Sequence, residues 1–135
     1  MFYKPVPMLY QVLRGEFTMH NVELKARYQL FIGGQWKDAS DGRTFKTYCP
    51  ADGSVLAECA EAAKEDVDEA VKAAWKAFES WKHVTVNERA VILNRIADII
   101  DANREHLAMV ESLDNGKPIR ETMAVDIPMS AQHFR

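Results

Sequence analysis

The side chains that could act as nucleophiles, bases or metal ligands are few and scattered. Cys49 and Cys59 are the two thiols of the chain. An active thiol needs its pKa lowered by a neighbouring cation or a helix N-terminus. Cys49 stands between Tyr48 and Pro50, and Cys59 between Glu58 and Ala60. Neither setting is electropositive, Glu58 opposes a thiolate, and both residues read as small apolar fillers. Their spacing matches neither a C-x-x-C redox motif nor a zinc pattern. The four histidines, His20, His83, His106 and His133, are dispersed, with no H-E-x-x-H among them. His106, beside Glu105, reads as a solvated surface residue. The chain carries no G-x-G-x-x-G after a strand, no phosphate-cradling loop and no serine in a nucleophile elbow. No residue is therefore assigned a catalytic or a coenzyme-binding role. Asp114-Asn115-Gly116-Lys117-Pro118 is polar enough to bind a ligand, but its glycine and proline are also what a helix C-terminus requires.

The elements that must position these residues fall into three parts. Residues 1–27 have no clean hydrophobic period and hold two prolines, so weak order is expected there. Residues 28–60 read as short strands. Tyr28–Ile32 is followed by Gly33-Gly34 and Gln35-Trp36, a hairpin signal, because both turn positions of the tightest hairpins need positive φ. Thr44–Tyr48 and Val55–Cys59 are further strands, separated by the Pro50-Ala51-Asp52-Gly53 turn. A first helix is predicted over Lys64–Trp81, with Val67, Ala70, Val71, Ala74, Phe78 and Trp81 on one apolar stripe. A second begins at the capping box Thr85-Val86-Asn87-Glu88 and runs unbroken to the stop at Asn115-Gly116, about 45 Å of helix. A third covers Arg120–Arg135 and should kink or restart at Pro128.

Composition narrows the function classes. At 135 residues, 47% hydrophobic and 27% charged, the chain has a globular balance. Its net charge of −3 lacks the basic excess of a nucleic-acid binder. The apolar run Ala90–Leu93 is far too short to span a bilayer. The pair of cysteines, read as reduced thiols, points to the cytoplasm.

In order along the chain, Leu30-Phe31-Ile32-Gly33-Gly34-Gln35-Trp36, Pro50-Ala51-Asp52-Gly53 and Lys64-Glu65-Asp66-Val67-Asp68-Glu69-Ala70-Val71 resemble the start of the NAD(P)-dependent aldehyde dehydrogenases. The likeness continues through Asn87-Glu88-Arg89 and Leu93-Asn94-Arg95-Ile96-Ala97-Asp98. It is strongest at Glu111-Ser112-Leu113-Asp114-Asn115-Gly116-Lys117-Pro118 and closes with Asp126-Ile127-Pro128 and His133-Phe134-Arg135.

The resemblance implies an α/β fold. The chain would be the N-terminal portion of the family's coenzyme-binding domain: short antiparallel strands, two long helices and a third, Pro-kinked helix. Residues 22–135 would be this partial domain, truncated at its C-terminal side, and residues 1–21 a poorly ordered or non-native extension. Met19 is the expected native start, with Met1–Thr18 as translated upstream sequence. The family oxidises an aldehyde to a carboxylic acid with NAD or NADP, works as an oligomer, and places its nucleophilic cysteine and general-base glutamate in later segments. The chain alone is then expected to be inactive and to hold no coenzyme. The resemblance also implies a monovalent-cation site with the carbonyls of Thr47 and Tyr48 and the carboxylate of Asp114. The second reading is a non-catalytic assembly module that pairs with itself or with full-length subunits.

Overall fold

The computed structural model describes residues 22–135; the extension expected over residues 1–21 lies outside the described residues. Five strands come first: β1 (Arg27–Tyr28), β2 (Leu30–Ile32), β3 (Gln35–Lys37), β4 (Thr44–Tyr48) and β5 (Val55–Ala60). Helices follow: α1 (Lys64–Trp81), α2 (Val86–Ala102), α3 (Arg104–Asn115), the single turn α4 (Ile119–Glu121) and α5 (Ile127–Phe134). A π-helical turn over Thr122–Asp126 joins α4 to α5. The mixed α/β class expected from the sequence is the class observed.

The strands form two small sheets. β2 and β3 make an isolated antiparallel hairpin, in the register Leu30 to Lys37, Phe31 to Trp36 and Ile32 to Gln35. Its two turn residues, Gly33 and Gly34, have φ of 60° and 84°, the geometry that matches the right-handed twist of hairpin strands. The other sheet has the order β1-β5-β4. β4 and β5 are antiparallel, whereas β1 runs parallel to β5, with Arg27 opposite Glu58 and Tyr28 opposite Cys59.

Two strand expectations are corrected here. Tyr28–Ile32 is not one strand: it divides at Gln29, and its halves join different sheets. The two-residue turn sends β2 straight back onto β3, while the residues before Gln29 find their partner in β5, some thirty residues on. The pairing is also not wholly antiparallel. A parallel pair needs a long crossover and carries no local turn signal.

α1 keeps its predicted bounds. Its N-cap, Ala63, has no side-chain acceptor, so the helix start is secured from elsewhere. The carboxylate of Asp66 accepts from the Ala63 N–H at 2.9 Å and from the Ser40 N–H at 3.0 and 3.1 Å, and its Oδ2 lies 3.2 Å from the Ser40 hydroxyl. One buried carboxylate thus pins the loop after β3 to the first turn of α1. These hydrogen bonds, led by the backbone ones from Ser40 and Ala63, hold its pKa below the usual value. Lys37 pairs with Glu69 beside it.

The single helix expected from the Thr85 cap to Asn115 is corrected: it breaks at Asn103, whose φ of −108° and ψ of 18° leave the helical region. The Asn103 side-chain amide donates to the Ile99 carbonyl at 2.8 Å, the carbonyl that its own backbone N–H also reaches at 3.1 Å. Asparagine competes in this way with the helix backbone. The bend lets α2 pack along α5 while α3 packs against the π-helical turn. The capping box itself forms as read: Glu88 N–H donates to Thr85 Oγ1 at 3.3 Å, and Glu88 Oε2 accepts from the Thr85 N–H at 3.0 Å.

The irregularity tied to Pro128 lies upstream of it. The π-helical turn absorbs the misfit, and α5 restarts at Ile127 with Pro128 in its first turn, where a missing N–H costs least.

Candidate functional site

The polar segment after α3 is the part of the chain with the most convergent geometry. Its foundation is a small core of Cys49, Met109 and Leu113, packed with Val22, Leu24, Leu56 and Ile119. Cys49 is 1% exposed and carries no disulfide, so its place as a small apolar filler is the one observed. Cys59 is half-buried on β5. His83, His106 and His133 are exposed, and His20 lies outside the described residues. Among the described residues no three His, Cys, Asp or Glu side chains group as a metal site.

Gly116 ends α3 in the left-handed conformation, φ 78°, and its N–H donates to the Ser112 carbonyl at 3.0 Å. A Cβ there would come within 2.9 Å of Pro50 Cγ. Glycine is therefore required twice, by the backbone angle and by the approach of the β4–β5 turn. The Lys117 N–H donates to Asn115 Oδ1 at 2.7 Å. Lys117 Nζ lies 2.5 Å from Asp126 Oδ2, and that contact raises the lysine above its ordinary pKa. Thr122, wholly buried, closes the other side: its hydroxyl donates to the Ala108 carbonyl at 3.0 Å, lies 3.1 Å from the Ile119 carbonyl and meets Ser112 Oγ at 3.0 Å.

The residues given a cation role by resemblance sit at this junction. Thr47 and Tyr48 end β4, and Asp114 lies in the last turn of α3. Cys49 on Leu113 and Pro50 on Gly116 bring the two segments together. The β4–β5 register shifts between Thr47 and Tyr48: Thr47 pairs with Ala57 and Tyr48 with Val55, leaving Leu56 as the extra residue. Such a bulge interrupts the ladder locally. Asp114 is exposed, and the neighbouring ion pairs, Lys117–Asp126 and Arg120–Glu121, leave it out. Two carbonyls and a carboxylate are hard oxygen donors, the right chemistry for a hard cation but only part of a shell.

Sequence reasoning missed two polar anchors, Asp66 with Ser40 and Thr122 with Ser112. Asp66 had a local signal, an acid three residues after the N-cap. Its partner Ser40, like the Ala108 carbonyl that receives Thr122, is reached only through the fold.

Against known proteins, the model of the aldehyde dehydrogenase family matches residues 36–135. Aldehyde dehydrogenase B of Escherichia coli K12 is 46% identical over 125 residues, covering 93% of this chain and 24% of that protein. An aldehyde dehydrogenase of Vibrio cholerae is 44% identical over 128 residues, 95% of this chain and 25% of its own length. Among solved structures, the Bacillus cereus aldehyde dehydrogenase in its NAD+ complex superposes with a TM-score of 0.79 at 43% identity, over 85% of this chain and 26% of that one. An indole-3-acetaldehyde dehydrogenase with NAD+ gives 0.82 at 35% identity, over 91% of this chain and 25% of that one. The chain belongs to the aldehyde dehydrogenase family, and the fold described above is the N-terminal part of the family's fold. It spans about a quarter of the length of the curated relatives it matches.

Proposed function

We propose that the chain forms the front of the coenzyme-binding domain of an aldehyde dehydrogenase, an oligomeric cytoplasmic enzyme that oxidises an aldehyde to a carboxylic acid with NAD or NADP. The observation that carries this reading is the family match over residues 36–135, together with 44–46% identity over 125–128 residues to aldehyde dehydrogenases about four times as long. NAD+ complexes of two structural neighbours support the coenzyme. The chemistry itself needs an activated thiol, oxyanion donors and a base for water. Cys49 is sealed in the core, and neither it nor Cys59 has a cationic neighbour in sequence. The chain by itself is therefore inactive, and its contribution is to build and brace the domain.

The test is a chimera in which this chain replaces the aligned quarter of Escherichia coli aldehyde dehydrogenase B. It should reduce NAD or NADP in the presence of aldehydes and run as an oligomer, while the separate 135-residue chain gives no turnover. A folded chimera without aldehyde oxidation would falsify the enzymatic reading. The cation role of Thr47, Tyr48 and Asp114 belongs to the same proposal, since the remaining ligands must come from water or from further chain. Asp114→Ala in the chimera should remove any dependence of stability on sodium or potassium, and an unchanged dependence discards the assignment.

The apolar stripe of α1, whose Val67, Val71, Phe78 and Trp81 are exposed among the described residues, favours a second reading, in which the chain is a non-catalytic assembly module that pairs with itself or with full-length subunits. A sharp two-state melt of the isolated chain supports that reading; a broad transition supports the first.

A further inference from the structure

Lys117 is the single cation within Asp114–Pro118, three residues from the Asp114 carboxylate. Its backbone is fixed on both sides. Gly116 before it is left-handed, its own N–H donates to Asn115 Oδ1, and Pro118 after it stands at φ −58° and ψ 130°. The side chain is fixed as well. It reaches Asp126 at the end of the π-helical turn, with Nζ 2.5 Å from Oδ2. That oxygen is sealed from solvent and has no other partner among the described residues, so the Lys117 ammonium is what compensates its charge. The fold delivers Asp126 to this place. The Thr122 hydroxyl, bonded to the Ala108 carbonyl, anchors the start of the π-helical turn, and the Ile127 N–H closes it on the Thr122 carbonyl. Asp126 raises the Lys117 pKa, first by direct contact and then by its field, and Glu111 and Glu121 add weaker fields. Asp114 is exposed and enters none of the ion pairs among the described residues.

An ammonium carries the same single charge as a sodium or potassium ion. Left uncompensated beside Asp114, it opposes a cation there in two ways: it repels the cation, and it competes for the carboxylate. Lysine has a flexible stem with a compact charge at its tip, so only a firm partner keeps it from doing so. The lysine also leaves the backbone close to the proposed donors. Pro50 of the β4–β5 turn packs on Gly116, the residue before Lys117, and Cys49 packs on Leu113, the residue before Asp114. We propose that Asp126 is a positioning residue for the cation donors Thr47, Tyr48 and Asp114: it takes up Lys117 and leaves the Asp114 carboxylate open to a monovalent cation. The proposal rests on the cation reading of those three residues and adds to it the residue that keeps the carboxylate open.

The experiment follows the melting midpoint of the chimera above in sodium or potassium chloride, against tetramethylammonium chloride at equal ionic strength to remove general screening. The parent should be stabilised by the small cation with a defined half-effect concentration. Asp126→Asn should raise that concentration about fivefold. The double variant, Lys117→Met with Asp126→Asn, should return to the parent value, a rescue that a merely structural Asp126 would not give. Lys117→Met alone should respond at least as strongly as the parent, and it reads the same coupling should Asp126→Asn fail to fold. Asp126→Asn at the parent value, a double variant as weak as Asp126→Asn, or a Lys117→Met weaker than the parent each overturns the positioning role and leaves the cation reading standing. A parent without cation-specific stabilisation, or a stabilisation that survives Asp114→Ala, overturns the cation reading and the positioning role with it.

Discussion

Two regions of the folded chain solve the same problem differently. Around the end of α3, residues from the segment before β1 and from β5, α3 and α4 converge with Cys49, which follows β4, and Cys49, Met109 and Leu113 are buried from within the chain. The hairpin and α1 have equally apolar side chains, yet these face outward. The difference does not lie in hydrophobicity. The first region receives segments from both halves of the sequence, whereas among the described residues α1 meets little beyond a three-residue strand and the loop after β3. Burial is a property of partners, and among the described residues only one region has them.

Substitutions sharpen that contrast, beginning with the largest. Leu113→Ala, in the closed core, should cost about 3 kcal/mol of stability in urea unfolding. Trp75→Ser, a larger truncation on the open face, should then change stability by less than about 0.5 kcal/mol. A Trp75 cost as large as that of Leu113 would break the comparison. Thr122→Val should cost about 2 kcal/mol, because it strands the Ala108 carbonyl in the interior. Thr85→Ala should cost about 1 kcal/mol through loss of the α2 cap, read as a drop in helix stability.

The contribution of Asp66 has a sign that pH reads out. Its folded pKa lies below that of an ordinary aspartate, held there first by the Ser40 N–H, so the stabilisation is fully present above the ordinary aspartate range. It is lost as pH falls through the lower, folded pKa. Melting midpoints of the parent should therefore drop in acid, and Asp66→Asn should start lower at neutral pH with a shallower acid slope. Because Asp66 fixes α1 to the loop after β3, the variant should also loosen the hairpin–helix unit, seen as faster amide exchange in α1. Exchange unchanged in α1 would show that the unit is held by its apolar groove instead.

Local chemistry written into consecutive residues carried most of the outline. Gly33-Gly34 with its aromatic flanks set the hairpin, Thr85 with Glu88 set the start of α2, and Gly116 with Pro118 set the end of α3. Each is a device completed within four residues, which is why it is legible without a fold. The family, too, was legible, as ordered motifs along the chain. The site was legible in part: the Asp114–Pro118 segment announced itself, but its closeness to Pro50 did not.

What the tertiary structure decided are the choices that depend on distant partners. The apolar period ran smoothly through Asn103, and the break there serves two different neighbours, α5 for α2 and the π-helical turn for α3. Gln29 looked like the middle of a strand and became a junction, because its two sides pair with segments far apart in sequence. The stripe on α1 is apolar as read, yet Val67, Val71, Phe78 and Trp81 stand exposed among the described residues. Sequence periodicity states that a face is apolar; only the assembled fold states whether anything in the chain arrives to cover it. Among the described residues the hairpin covers one edge and leaves the rest open, since an apolar side chain is buried by whatever surface reaches it and not by its own pattern.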